Sequence, residues 1–99
     1  ARMKKSAILV NVARGPVVDT QALYEALTEG QIAAAGLDVL EKEPISKDNP
    51  LGNIKDSTKL IITPHMAWAS TEARERLVSE VSKNIEAFLG GEDRNIVNK

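Results

Sequence analysis

The chain has 99 residues, 42% of them hydrophobic and 27% charged, with a formal net charge of −1. That length allows one domain with a modest core, and the near-neutral balance gives no basic footprint for nucleic acid or an anionic membrane surface. Cysteine is absent, which excludes disulfides and thiolate metal sites, and no apolar run approaches the roughly 18 residues needed to span a bilayer. A cytoplasmic protein without metal is expected.

In chain order, Ser6 to Ala13, SAILVNVA, reads as a strand buried on both faces, as in a parallel sheet. RGPVVDT follows as a Gly-Pro loop. Asp19 suits the N-cap of a helix over TQALYEALT, with Ala22, Leu23, Ala26 and Leu27 on one face and Gly30 placed to end it. Ile32 to Leu40, IAAAGLDVL, reads as a second strand whose small residues permit close backbone approach.

Residues 41–58, EKEPISKDNPLGNIKDST, form a polar stretch that is long for a loop in a compact domain. Lys59 to Thr63, KLIIT, reads as a third strand halted by Pro64. From Ser70 to about Leu89, the residues Leu77, Val78, Val81, Ile85, Phe88 and Leu89 recur at helical spacing. Ser70 can cap that helix, Glu72 and Glu75 suit its first turn, and Gly90-Gly91 ends it. Strand, helix, strand, loop, strand, helix is the alternation of an α/β parallel sheet.

In such sheets chemistry collects at the carboxyl ends of the strands. Three groups fall there: Asn11 to Gly15, Asp38 to Pro44, and His65 to Trp68. His65 is the single histidine of the chain, and an imidazole is the side chain suited to proton exchange near neutrality. Taken alone, a histidine after a strand is more often a surface or capping residue. Asp38, Glu41 and Glu43 supply carboxylates at the end of a neighbouring strand, and a carboxylate beside an imidazole fixes its tautomer and favours its charged form. Arg14 precedes a glycine and offers a planar fork of donors for a substrate carboxylate, or else a structural salt bridge with Glu43 or Asp38.

Together these residues suit a 2-keto or 2-hydroxy acid. Arginine binds the acid, histidine exchanges a proton with the C2 oxygen, and glutamate tunes the histidine. The accompanying hydride needs a carrier that no side chain provides, which implies a nicotinamide.

The stretch NVARGPVVDTQALYEALTEGQIAAAGLDVLEKEP followed by TPHMAWAS resembles the C-terminal part of the cofactor domain of D-isomer-specific 2-hydroxyacid dehydrogenases. The motifs N-x-A-R-G, G-x-D-V-x-x-x-E-P and T-P-H occur in order, and the likeness runs from about Met3 to Asn95. It implies the C-terminal half of a Rossmann-type doubly wound sheet, about three strands plus a long C-terminal helix. By the resemblance, Arg14 is the carboxylate-binding arginine, Glu43 the acid paired with histidine and His65 the proton donor. Asp38 is the aspartate that holds the nicotinamide carboxamide. Val12, Ala13 and Arg14, and His65, Met66, Ala67 and Trp68, line the nicotinamide.

H-x-A-W-A-S-x-E-A-R is similar to the glycerate dehydrogenase, or hydroxypyruvate reductase, branch, and Trp68 would narrow the pocket toward a short polar acid, or else pack over the last helix or at a subunit contact. The glycines of the chain never take the G-x-G-x-x-G spacing. The resemblance therefore implies that residues 1–99 are a segment of a dinucleotide-binding domain without its phosphate loop and without the substrate domain, and inactive by itself. The cofactor is NAD or NADP, with NAD favoured, and a homo-oligomer is expected. The competing expectation is a truncated α/β module that acts only by self-association or binding. A flavodoxin-like or response-regulator domain shares the alternation, but it leaves Arg14, Glu43 and His65 unexplained.

Overall fold

A computed structural model describes residues 2–98, and the chain divides into two units, residues 1–66 and 67–99. In the first unit the order is β1 (Ile8–Asn11), α1 (Thr20–Thr28), β2 (Ala34–Leu37) and β3 (Leu60–Ile62), with 3-10 turns at Gly15–Val17 and Pro50–Asn53. The strands form one parallel sheet in the order β1-β2-β3. Each is shorter than the strand read from the sequence, because the chain leaves the ladder at both ends to enter the connections.

Local chemistry sets the boundaries of α1. Asp19 Oδ1 accepts from the Ala22 amide at 2.8 Å, which satisfies one of the unpaired donors of the first turn. At the other end Gly30 has φ of 67°, and the Gln31 amide donates to the Ala26 carbonyl at 2.8 Å. That is the left-handed ending for which glycine is suited, since it has no Cβ to clash.

The core lies between α1 and one face of the sheet. Leu23 and Leu27 of α1 meet Ile32, Ala35, Leu37 and Leu51, with Leu9 and Leu60 packed against them. Leu51 comes from the stretch read as a polar loop. Within it, Asn49 Oδ1 accepts from the Leu51 amide at 3.0 Å and starts a short turn that packs against α1.

The register pairs Val10 with Gly36 and Gly36 with Ile61, so these residues share the face away from Leu9, Ala35 and Leu37. On that face Ile8 is 65% and Val10 68% exposed, which corrects the expectation that the first strand is buried on both sides. The reason is architectural: α1 covers one face, and the residues pointing the other way stay open.

The second unit is α2 (Thr71–Leu89) and the tail that follows. Ser70 Oγ accepts from the Ala73 amide at 3.1 Å, and Glu72, without Glu75, lies in the first turn. Gly91 has φ of 73°, and the Glu92 amide closes the helix end on the Ala87 carbonyl at 2.8 Å. The tail then folds along the helix, where Arg94 donates to Glu80 Oε2 and to Asn84 Oδ1, each at 2.6 Å. Leu77, Val78, Val81, Ile85, Phe88 and Leu89 are all exposed, so the apolar stripe of α2 is left uncovered within its own unit.

Candidate active site

Asn11 ends β1 and is 6% exposed. Its amide works in both directions: Nδ2 donates to the Arg14 carbonyl at 2.9 Å, and Oδ1 accepts from the Ala13 amide at 3.1 Å. This bracket shapes the turn that carries Arg14. Val12 and Ala13 are exposed within it. The Arg14 guanidinium is exposed and donates Nη1 to the Ala13 carbonyl at 2.8 Å. Gly15 is buried, and a Cβ there would sit 1.9 Å from the Leu40 carbonyl carbon and oxygen. The absence of a side chain lets the loop after β1 rest directly on the loop after β2.

At the end of β2 the Asp38 amide donates to the Asn11 carbonyl at 2.9 Å, and Asp38 is 4% exposed. Its Oδ1 accepts from Thr63 Oγ1 at 2.5 Å and from the Met66 amide at 2.9 Å. Glu43, further along this connection, accepts at Oε1 from the Leu40 amide at 2.9 Å. Its Oε2 meets His65 Nδ1 at 2.8 Å. Of the three carboxylates offered by the sequence, Glu43 is the one paired with the histidine. Its Leu40 amide partner and then its His65 partner hold the Glu43 carboxyl below the ordinary glutamate range, against the opposing effects of burial and the Asp38 charge.

At the end of β3 the Thr63 amide still donates to Leu37 at 2.9 Å, continuing the ladder by one step. Pro64 follows, and His65 has φ of 53°, with its amide on the Thr63 carbonyl at 3.0 Å. His65 is half-buried and Met66 exposed. A cavity of about 350 Å³ opens here. Asp38, Glu43, Thr63 and His65 form its polar wall, and Leu40, Ile45, Ile62 and two prolines its apolar wall. Ala67 and Trp68 begin the second unit and are exposed.

Thus Glu43 and His65, 22 residues apart in sequence, are joined by a hydrogen bond, and Asp38 grips the turn that carries His65. Arg14 is brought to the same edge of the sheet by the Gly15 contact, while its own hydrogen bond is to backbone and not to Glu43. Sequence reasoning did not assign roles to Asn11, Thr63 or the Leu40 amide. Asn11 and Thr63 do occupy the first positions of the N-x-A-R-G and T-P-H motifs, which was the available signal.

Residues 1–67 match the family described as D-isomer specific 2-hydroxyacid dehydrogenase, NAD binding domain. The hydroxypyruvate reductase of Blautia hydrogenotrophica is 48% identical over 99 residues, covering 100% of this chain and 30% of that protein. The glyoxylate reductase of Korarchaeum cryptofilum is 52% identical over 99 residues, covering 99% of this chain and 29% of that protein. The D-lactate dehydrogenase of Aquifex aeolicus, solved with NAD and lactic acid, superposes with a TM-score of 0.62 at 35% identity, over 91% of this chain and 31% of its own.

The chain belongs to the NAD-binding domain family of the D-isomer-specific 2-hydroxyacid dehydrogenases, oxidoreductases that use a nicotinamide dinucleotide. It spans about 30% of the length of the curated relatives it matches. The parallel sheet is the one expected from the alternation of elements, and the Rossmann-type fold implied by the resemblance is that of the dehydrogenases it superposes on. Among the described residues no helix is long and apolar enough to cross a membrane.

Proposed function

We propose that residues 1–99 carry the substrate-binding and proton-exchanging groups of a dehydrogenase acting on a short 2-keto or 2-hydroxy acid of the glyoxylate, hydroxypyruvate or glycerate type. The observation that carries this reading is the 2.8 Å contact between His65 Nδ1 and Glu43 Oε2 at the carboxyl edge of the sheet. With Nδ1 held by a carboxylate, the imidazole keeps one orientation, and proton exchange with the substrate C2 oxygen is assigned to Nε2. Arg14 binds the substrate carboxylate through its guanidinium fork and orients C2 toward His65. Its exposed position and its single backbone contact leave most of its donors to such a ligand.

The cavity suits a flat heteroaromatic ring, since its wall is apolar apart from groups that can anchor an amide. A nicotinamide, when bound, supplies or takes the hydride. We assign its surroundings to the backbone of Val12, Ala13 and Arg14, to the Asp38 carboxylate, and to His65 and Met66, with Ala67 and Trp68 as the continuation of that segment. The reading includes a cytoplasmic homo-oligomer, supported by the open apolar stripe of α2. We propose that the 99 residues alone do not turn over, because none of their glycines forms the phosphate-binding pattern.

The test is a graft. Residues 1–99 replace the matching segment of the Blautia hydroxypyruvate reductase, and NADH oxidation is followed with hydroxypyruvate and with glyoxylate. Turnover is expected from the graft, with a fall in kcat of about 10²- to 10⁴-fold in His65→Ala, the range for loss of a general acid. A folded graft that binds cofactor yet gives the same rate with and without the histidine would refute the assignment. The isolated chain in the same assay is expected to be silent.

A second reading is a non-catalytic module that self-associates, favoured by the same exposed stripe on α2. A graft that folds, binds cofactor and never turns over would support it.

A further inference from the structure

We propose that Thr63 and Asp38 are positioning residues for His65, which together hold the histidine in the backbone conformation from which Nδ1 reaches Glu43. The inference rests on the reading of His65 as the proton-exchanging group and adds to it the residues that place that group.

The starting point is local strain. His65 has φ of 53°, in the left-handed region that residues with a Cβ seldom adopt. Histidine enters that region more readily than most residues with a Cβ but still seldom, so contacts around it are needed to hold it there. On one side Thr63 donates Oγ1 to Asp38 Oδ1 at 2.5 Å. On the other the Met66 amide donates to the same oxygen at 2.9 Å. One carboxylate oxygen therefore grips the turn two residues before and one residue after the histidine.

The grip is itself buried and anchored. Asp38 is 4% exposed, and its own amide is tied to the Asn11 carbonyl at 2.9 Å. A buried carboxylate needs donors, and two of those it takes flank His65. The Thr63 amide is in turn fixed on Leu37 at 2.9 Å. The turn that carries the imidazole is thus tied to the end of β2 through Leu37 and Asp38, and Asp38 is tied in turn to Asn11 at the end of β1. The Glu43 carboxylate is held separately by the Leu40 amide at 2.9 Å. Release of the brace moves the histidine away from a glutamate that stays where it is, and this gives the brace a signature of its own.

The experiment is solution NMR on the 99-residue chain, in the wild type and in Thr63→Val and Thr63→Ser. Valine keeps the shape of threonine and removes the hydroxyl, whereas serine keeps the hydroxyl. Two readouts bear on the brace: the strong intraresidue amide–Hα NOE that marks positive φ at His65, and the midpoint of the Glu43 carboxyl titration. The valine variant is expected to lose the NOE and to move the Glu43 midpoint up toward ordinary glutamate. Serine is expected to restore both.

A valine variant that folds and matches the wild type in both, or a serine variant that fails as valine does, would overturn the proposal. Amide exchange at Met66 in the wild-type chain tests it without any variant. Protection is expected from the Asp38 contact, and free exchange in an otherwise protected sheet would overturn it. None of these readouts involves turnover. Loss of activity in the grafted His65→Ala beside a silent Thr63→Val would keep the proton-exchange reading and reject the brace. A clear brace signature beside an active His65→Ala graft would do the reverse.

Discussion

Glu43 has two partners that do different things. The Leu40 amide fixes the carboxylate to its own loop, and His65 Nδ1 joins it to the end of β3. Both contacts favour the charged form, so its lowered pKa ties the pairing to pH with a definite sign. What the two contacts contribute is fully present above the ordinary glutamate pKa and is lost as pH falls through the lower folded value. In an NMR titration the Glu43 carboxyl should therefore have its midpoint below that of a free glutamate, and the Leu40 amide shift should follow the same curve. In the grafted enzyme, Arg14→Lys should raise KM about ten- to a hundred-fold with a smaller change in kcat. That range corresponds to the roughly 1.5–3 kcal/mol of a hydrogen bond to a charged group, because an ammonium cannot reproduce the fork. An unchanged KM would remove Arg14 from the substrate. At this scale the pairing of Glu43 with His65 was legible because residue type and strand end coincide, and Arg14 lies at the strand end where its motif put it. The sequence was illegible for Asn11 and Thr63, whose roles depend on which backbone groups come within reach once the strands are paired.

The elements were read well where their ends carry local chemistry. Asp19, Ser70 and the glycines after each helix act as caps wherever the rest of the chain goes. Apart from Pro64 after β3, strand ends carry no comparable signal, since the ladder stops where the neighbour stops, and each strand proved shorter than the span read for it. The turn at Pro50–Asn53 was missed because its single buried contact, Leu51, is surrounded by polar residues and no period reveals it. Leu51→Ala should lower stability by about 2–5 kcal/mol, the range for a large-to-small change in a core, as read from urea unfolding. A loop residue without a core role would cost far less. Gly15→Ala should be worse than its size suggests, because the added methyl meets the Leu40 backbone and not a movable side chain. The expected result is a lower Tm together with shifted Leu40 and Glu43 amide resonances, since the two loops must part.

For the whole chain, the feature that matters is apolar surface left open. One face of the sheet shows Ile8, Val10 and Ile61, and α2 shows a stripe ending in Phe88, 81% exposed. Surfaces of this kind drive association in water, and the attraction persists at high salt, unlike attraction between charges. Sedimentation velocity should show the chain self-associating at 0.5 M salt as readily as at 0.1 M. Val81→Glu with Phe88→Glu should shift it toward monomer if the stripe is the contact. A monomer in the wild type would argue against the homo-oligomer. The expectation of a strand buried on both faces arose because apolar content reports what a residue can bury, whereas burial depends on which elements are present to cover it.

On the proposed role of His65, the left-handed turn at that position sets folding against catalysis. Glycine or asparagine fits that backbone with less strain, a difference on the order of 1 kcal/mol. A library of this chain displayed on yeast and sorted for folding alone should therefore drift away from histidine at 65. The same library carried in the grafted reductase and selected for growth through turnover should return to it. The sign of that disagreement between two selections would mark the position as one kept for its chemistry at the expense of the fold.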